Sequence, residues 1–264
     1  MPHWQRGAID EYYADDEPTI MNLVIVTGTT KGIGAALRDV YATDKNNLLV
    51  TFSRAPTTTT PPYNVALDVS DLGAIAPAFA MAAARFSYQR FEHAVLINNA
   101  GVVSPVGAFD SIDAAETGNN FIVNVAAPMV LSQLFAHATS VIATRRLIVN
   151  ISSGAARRAI AGWSAYCAAK AALEMATRVA ALEAAMNDAT LSICSLAPGV
   201  VDTDMQGLIR GISEKDFPDV ERFRALKADN ALRDAHDVAR EIVTLIAGSK
   251  LTNGGNFDIR ELTQ

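Results

Sequence analysis

Short, nearly unbroken apolar runs recur along the chain, and most are followed by a stretch whose apolar positions fall every three or four residues. The first pattern predicts strands buried on both faces, and the second predicts helices with one buried stripe. Read this way, strands are expected at 22–27, 48–52, 63–67, 91–97, 146–151 and 191–196, with a last edge strand at 255–259. Helices are expected at 32–41, 71–86, 111–139, 163–186 and 235–247, Pro128 marking a bend or a new start inside the third. The threonine- and proline-rich residues 55–62 suit an exposed loop.

Alternation of buried strands with helices predicts a mostly parallel, doubly wound α/β sheet of seven strands, with ligands gathered beyond the carboxyl ends of the strands. No repeat or interdomain linker interrupts it, so residues 21–264 are expected to form one domain, preceded by a flexible extension at 1–20. From 201 to 230 the pattern turns irregular, which fits either a helical flap over a substrate or a plain surface excursion.

Composition narrows the function. The 264 residues are half hydrophobic and carry a formal charge of −6, a poor field for a nucleic-acid backbone, so no nucleic-acid partner is expected. Two cysteines, Cys167 and Cys194, and four scattered histidines show no metal-ligand or disulfide spacing; a reducing compartment and no metal are expected. No apolar run approaches the roughly 20 residues of a membrane span, and the first residues lack the apolar core of a secretory signal. A cytoplasmic protein without a membrane partner is the reading.

The chemistry sits where the strands end. Gly28, Gly32 and Gly34, in Thr27-Gly28-Thr29-Thr30-Lys31-Gly32-Ile33-Gly34, lie between the first strand and the first helix. Small residues there let amide groups and a helix N-terminus approach the anionic linker of a dinucleotide. Farther along, Tyr166 and Lys170 are four apart on one predicted helix and face the same way. An ammonium group beside a phenol favours phenolate and draws its pKa toward neutrality, as carbonyl reduction requires of its proton donor. Cys167, next to Tyr166, points elsewhere on the helix and is read as packing.

Three residues separate Gly28 from Gly32, and in this the turn resembles that of the short-chain dehydrogenase/reductase family. The resemblance runs through Asp68-Val69, Asn98-Asn99-Ala100-Gly101, Asn124, Ser153, Tyr166, Lys170 and Pro198-Gly199, nearly the whole chain from Met21. It implies a Rossmann-type fold and a nicotinamide cofactor. It implies that Ser153 fixes the substrate oxygen, that Lys170 also bonds the nicotinamide ribose, and that Asn124 completes a proton path. Ser152 competes with Ser153, and Asn119 and Asn120 with Asn124. Asp68 and Val69 are implied at the adenine, Asn98 as a brace of the central sheet, Ala100 and Gly101 beside the adenosine ribose, and Thr203, in the 199–203 stretch with Val201, at the nicotinamide carboxamide or the adjoining phosphate. The long helix at 163–186 packs across a subunit interface in the family, which implies a homodimer or homotetramer.

Cofactor choice rests on charge. The second strand ends in Ser53-Arg54 instead of a carboxylate, and Lys31 lies inside the glycine turn, so NADP(H) is expected over NAD(H); solvated cations are the competing account. Around Ser152, Trp163 and Val201 the chain resembles the sepiapterin reductase and benzil reductase subgroup, which implies NADPH-dependent reduction of a ketone or 1,2-diketone. Ala155, Trp163, Pro198, Gly199, Met205 and Leu208 are candidate pocket liners, Trp163 equally a core or interface residue. Asp258 either anchors a pterin ring or serves the last turn structurally. A 3-oxoacyl thioester reductase, an alcohol dehydrogenase and a dinucleotide-sensing regulator are the alternatives.

Overall fold

The computed structural model describes residues 22–262 apart from 59 and 61; the expected extension at 1–20 lies outside the described residues. Seven strands form one sheet: β1 (Asn22–Thr27), β2 (Asn47–Ser53), β3 (Tyr63–Ala66), β4 (Phe91–Asn98), β5 (Ala143–Ile151), β6 (Leu191–Ala197) and β7 (Asn256–Asp258). Their order is β3-β2-β1-β4-β5-β6-β7, and every pairing is parallel. The order reverses between β1 and β4, which opens a crevice at their carboxyl ends.

Alternation within each strand divides the core. From β1, Leu23 and Ile25 enter a cluster with Phe52, Phe79, Leu131 and Phe135, while Val24 and Val26 enter another with Leu37, Val238 and Ile242. The first cluster is closed by α2 (Leu72–Ala83), α4 (Ala127–Thr139) and α5 (Ser164–Asn187), the second by α1 (Gly32–Ala42) and α8 (Ala235–Ala247). Side chains of the central strands are buried on both faces, so β1 reads as a solid apolar run.

The expected helix at 111–139 is α3 (Ala114–Phe121), a π-helical turn at Ile122–Ala126, and α4, with Pro128 in the first turn of α4. One expectation needs correction: this continuous 26-residue stretch has a window of mean hydropathy 1.5 and is, by length and composition alone, apolar enough to cross a membrane. Uncharged polar residues hide it from a search for unbroken runs. Two of them, Asn120 and Asn124, are fully buried and bonded to the chain at 102–104, and α4 contributes to the core against the sheet, with 33% of the apolar window buried.

Strand β5 begins three residues before its expected start because its first residues are partly exposed and carry no periodicity. Within it Arg146 is buried, its guanidinium bonded to Ala136 O at 2.8 Å and to Asp188 and Thr190. The irregular 201–230 stretch contains α6 (Asp204–Arg210) and α7 (Val220–Ala228). A third cluster, Trp163, Tyr166, Ile209, Phe217, Val220 and Phe223, packs these helices onto the start of α5. Trp163 stacks on Phe217 at 4.8 Å between ring centroids and meets the Tyr166 ring edge-on at 5.4 Å.

The glycine turn is held by contact. A Cβ on Gly34 would lie 2.1 Å from Gly28 O and 2.4 Å from Asn99 Nδ2, and Gly28 has φ +71°. Nothing lies within 4 Å of a Cβ on Gly118, inside α3. We therefore expect Gly34→Ala to lower stability by about 1–3 kcal/mol through overpacking, and Gly118→Ala to raise it by about 0.5–1 kcal/mol through helix propensity. Urea unfolding of the two variants checks both signs.

Candidate active site

At the carboxyl ends of β1, β4, β5 and β6 lies a cavity of about 540 Å³, within the range of small-molecule and cofactor sites. One side is the glycine turn. Asn99 Nδ2 donates to Thr27 O at 2.9 Å and Gly28 O at 3.2 Å, while Thr27 Oγ accepts from the amides of Asn99 and Ala100. The ends of β1 and β4 are thereby tied together. At the start of α1, Lys31 occupies the N-cap position without a side-chain cap, and the first turn holds no acid. That positive end suits an anionic ligand.

Gly28, Thr30, Lys31, Gly32, Ile33 and Gly34 line this side, with Ser53, Arg54, Val69, Ala100 and Gly101 beyond them. The Ser53 hydroxyl donates to Asn64 Oδ1 at 2.7 Å, and Arg54 is exposed. Lys31 reaches Asp204 at 3.0 Å across the cleft. Both partners are more than half exposed, so the pair is weak and readily exchanged for a phosphate. Asp68 lies outside the lining; its carboxylate accepts from the amide and hydroxyl of Ser70, which hold it below the usual carboxylate range. Asn98 lies behind the cavity and donates to Asn150 Oδ1 at 2.8 Å and Ser132 Oγ at 3.1 Å, bracing the sheet.

The other side holds the chemical groups. Tyr166 and Lys170 stand one turn apart on α5, both buried and both lining the cavity. Lys170 Nζ donates to Ile151 O at 2.9 Å and stands 5.8 Å from the centre of the Tyr166 ring. Ser153 hydrogen-bonds the Tyr166 phenol, and its Oγ also accepts from Ala155 N at 3.2 Å. Ser152 is committed elsewhere: its hydroxyl donates to buried Glu174 at 2.9 Å. Asn124 sits on the π turn, where Nδ2 donates to Val102 O at 2.8 Å and to Asn120 Oδ1 at 2.9 Å. Asn120 buttresses it, and Asn119 is exposed.

Burial sets the protonation of the pair. It lifts the Tyr166 phenol above its ordinary value against the hydrogen bond from Ser153, and it pushes Lys170 down from 10.5 to about 8. The expected fall of the phenol toward neutrality is therefore not seen in the protein by itself, where desolvation outweighs the hydrogen bond from Ser153.

Ala155, Trp163, Pro198, Gly199, Val201, Thr203 and Met205 line the remaining wall. Leu208 is 63% exposed on α6 and faces away from this cavity's lining. Asp258 also lies outside it, gripped by Arg260 through Nε at 2.8 Å and a terminal nitrogen at 2.5 Å. Arg260, Arg158 and Arg222 line the cavity and were missed in the sequence. Their positions depend on three separate loop and helix placements, and no motif marks them. Among the described residues no cluster of His, Cys, Asp and Glu could hold a metal.

Residues 22–211 match the short chain dehydrogenase family. A benzil reductase, (S)-benzoin forming, from Bacillus subtilis is 34% identical over 91% of this chain and 99% of its own length. A sepiapterin reductase from Rattus norvegicus is 28% identical over 90% of this chain and 96% of its own. A short-chain dehydrogenase/reductase from Saccharomyces cerevisiae superposes with a TM-score of 0.74 at 24% identity, over 90% and 96% of the two chains. With the glycine turn, the Ser153, Tyr166 and Lys170 constellation and the sheet order all in place, this chain belongs to the short-chain dehydrogenase family.

Proposed function

We propose that the protein is an NADPH-dependent carbonyl reductase acting on a ketone or 1,2-diketone. The observation that carries this reading is the buried triplet of Ser153, Tyr166 and Lys170 on the wall of a cavity whose other wall is the glycine turn. The benzil and sepiapterin reductases among its relatives support the substrate class. The open N-terminus of α1, the close approach of Gly28 to Ala100, and the cations Lys31 and Arg54 fit NADP(H), with Arg54 and Lys31 at the 2'-phosphate. When bound, the nicotinamide supplies the hydride.

This chain's residues do the rest. Ser153 donates to the substrate oxygen and holds it against Tyr166, whose buried phenol is protonated at neutral pH and gives its proton as the carbon accepts hydride. Lys170 donates to Ile151 O and offers its other protons to the coenzyme ribose and the phenolate that forms. Asn124 fixes the loop at 102 beside them. Asn98 and Asp68 support the coenzyme side from outside the cavity wall.

Residues 21–264 form one domain in this reading, with 201–230 as a substrate-side flap hung on Trp163. The flap's Arg210 and Lys227 pair with Asp202, and Arg224 with Glu221, which disfavours a carrier-bound thioester. On α5, Met175, Val179, Leu182 and Met186 form an exposed apolar stripe at helical spacing, and Met129 of α4 is also exposed. The stripe supports a homodimer or homotetramer, and the composition supports a cytoplasmic location.

Three outcomes follow. Tyr166→Phe lowers kcat for diketone reduction by about a thousandfold, read as NADPH oxidation at 340 nm; turnover within tenfold of wild type would refute the proton-donor role. Arg54→Asp combined with Lys31→Ala weakens NADPH binding by about 10- to 100-fold and leaves NADH binding equal or better, read by nicotinamide fluorescence titration. For Lys170, kcat/KM of reduction falls above about pH 8 as the ammonium loses its proton. Between about 8 and its ordinary value the unfolded chain holds the extra proton, so this group's contribution to stability rises with pH there. Lys170→Met thus loses activity yet gains stability at pH 7, by up to roughly 3 kcal/mol, in a denaturant titration.

A further inference from the structure

In a chain of net charge −6, the cavity wall carries, among the described residues, six cations, Lys31, Arg54, Lys170, Arg158, Arg222 and Arg260, and a single acid, Asp204. Lys31 and Arg54 belong to the coenzyme side, and Lys170 to the chemistry. The other three come from other parts of the fold: Arg54 follows β2, whereas Arg158 follows β5, three strand positions away in the sheet. Arg260 follows β7, farther still, and its charge is taken by Asp258.

Arg158 and Arg222 both adjoin Asp219. Arg158 reaches Asp219, the N-cap of α7, at a loose 3.6 Å, and the Arg222 amide donates to the Asp219 carbonyl at 3.1 Å. Arg222 has no ion pair or side-chain hydrogen bond among the described residues; its guanidinium lies 5.6 Å from the centre of the Phe223 ring. Phe223 is 5.5 Å from Trp163 and Trp163 is 5.4 Å from Tyr166, ring centre to ring centre, so a row of rings connects the guanidinium with the phenol. Trp163 and Gln206, which line the same cavity, each carry a buried side-chain donor without a partner among the described residues, Nε1 and Nε2. Buried donors are rarely left unmatched, and Trp163 Nε1 and Gln206 Nε2 both ask for an acceptor, while Arg158 and Arg222 are exposed cations on the same lining.

Resting on the carbonyl reductase reading, we propose that the substrate is an anionic ketone, and that Arg222, with Arg158 beside it, receives a carboxylate placed several bonds from the reduced carbonyl. The ring of Phe223 under Arg222 orients the guanidinium, and the planar fork matches a carboxylate. Asp258, the residue that would bind a cationic or amide-rich ring, is occupied by Arg260 and does not compete.

The test compares 4-carboxybenzil with its methyl ester, as substrates of the purified protein with NADPH. Wild type should favour the acid by about tenfold in kcat/KM, mainly through KM, and 0.5 M salt should shrink that ratio. In Arg222→Ala the acid-to-ester ratio should fall close to one, with Arg222→Lys in between. A wild-type ratio of one or less, or a ratio unmoved in Arg222→Ala and Arg158→Ala, would overturn the proposal while leaving ketone reduction intact. Oxidation of NADPH with neither compound, nor with benzil, would instead remove the carbonyl reductase reading on which it rests.

Discussion

A buried ammonium group is costly, and the site is arranged around one. Lys170 is nearly inaccessible and has one hydrogen-bond acceptor within the protein, the carbonyl at the end of β5. Its lowered pKa measures that cost. The position is stable only because parallel strands deliver the Ile151 carbonyl to the crevice and α5 carries Tyr166 one turn above. A lysine with protons to spare beside the cavity has donors left for further acceptors, which in the proposed reading are a ribose hydroxyl and a phenolate.

The same economy governs the glycine turn. Gly34 has no room for a side chain because Gly28 O and Asn99 Nδ2 occupy that space, and Thr27 closes the contact from below. Packing of the β1 turn against the end of β4 therefore fixes the glycine-turn wall of the cavity that Tyr166 lines on the other side. The π turn at Asn124 acts from the opposite side, since the wider helical turn is where Asn124 meets the chain at 102.

Much of this was legible in the sequence, for physical reasons. Strands buried on both faces leave solid apolar runs, so β1, β4 and β6 were placed within a residue or so. The Tyr166 and Lys170 spacing carries its geometry with it, and the structure separates Ser153 from Ser152 by giving the latter to Glu174. Less was legible where tertiary contact decides. Asp258 gave no sign that Arg260 would hold it, Lys31 none that Asp204 would face it across the cleft, and Leu208 was assigned inward on a helix that turns it to solvent. Arg158, Arg222 and Arg260 come from the loop after β5, the flap and the last turn, and only the fold brings them to one cavity with Arg54.

The central claim is that one site passes hydride to a carbonyl carbon and a proton to its oxygen. Mass spectrometry of the alcohol formed from a 1,2-diketone with NADPH deuterated at the transferring position of C4 tests it most directly. One deuterium on the new carbinol carbon, matched one for one by NADPH consumed and lost when Tyr166 is replaced by Phe, is the predicted result. An unlabelled alcohol, or labelled product formed as fast without the phenol, would contradict it.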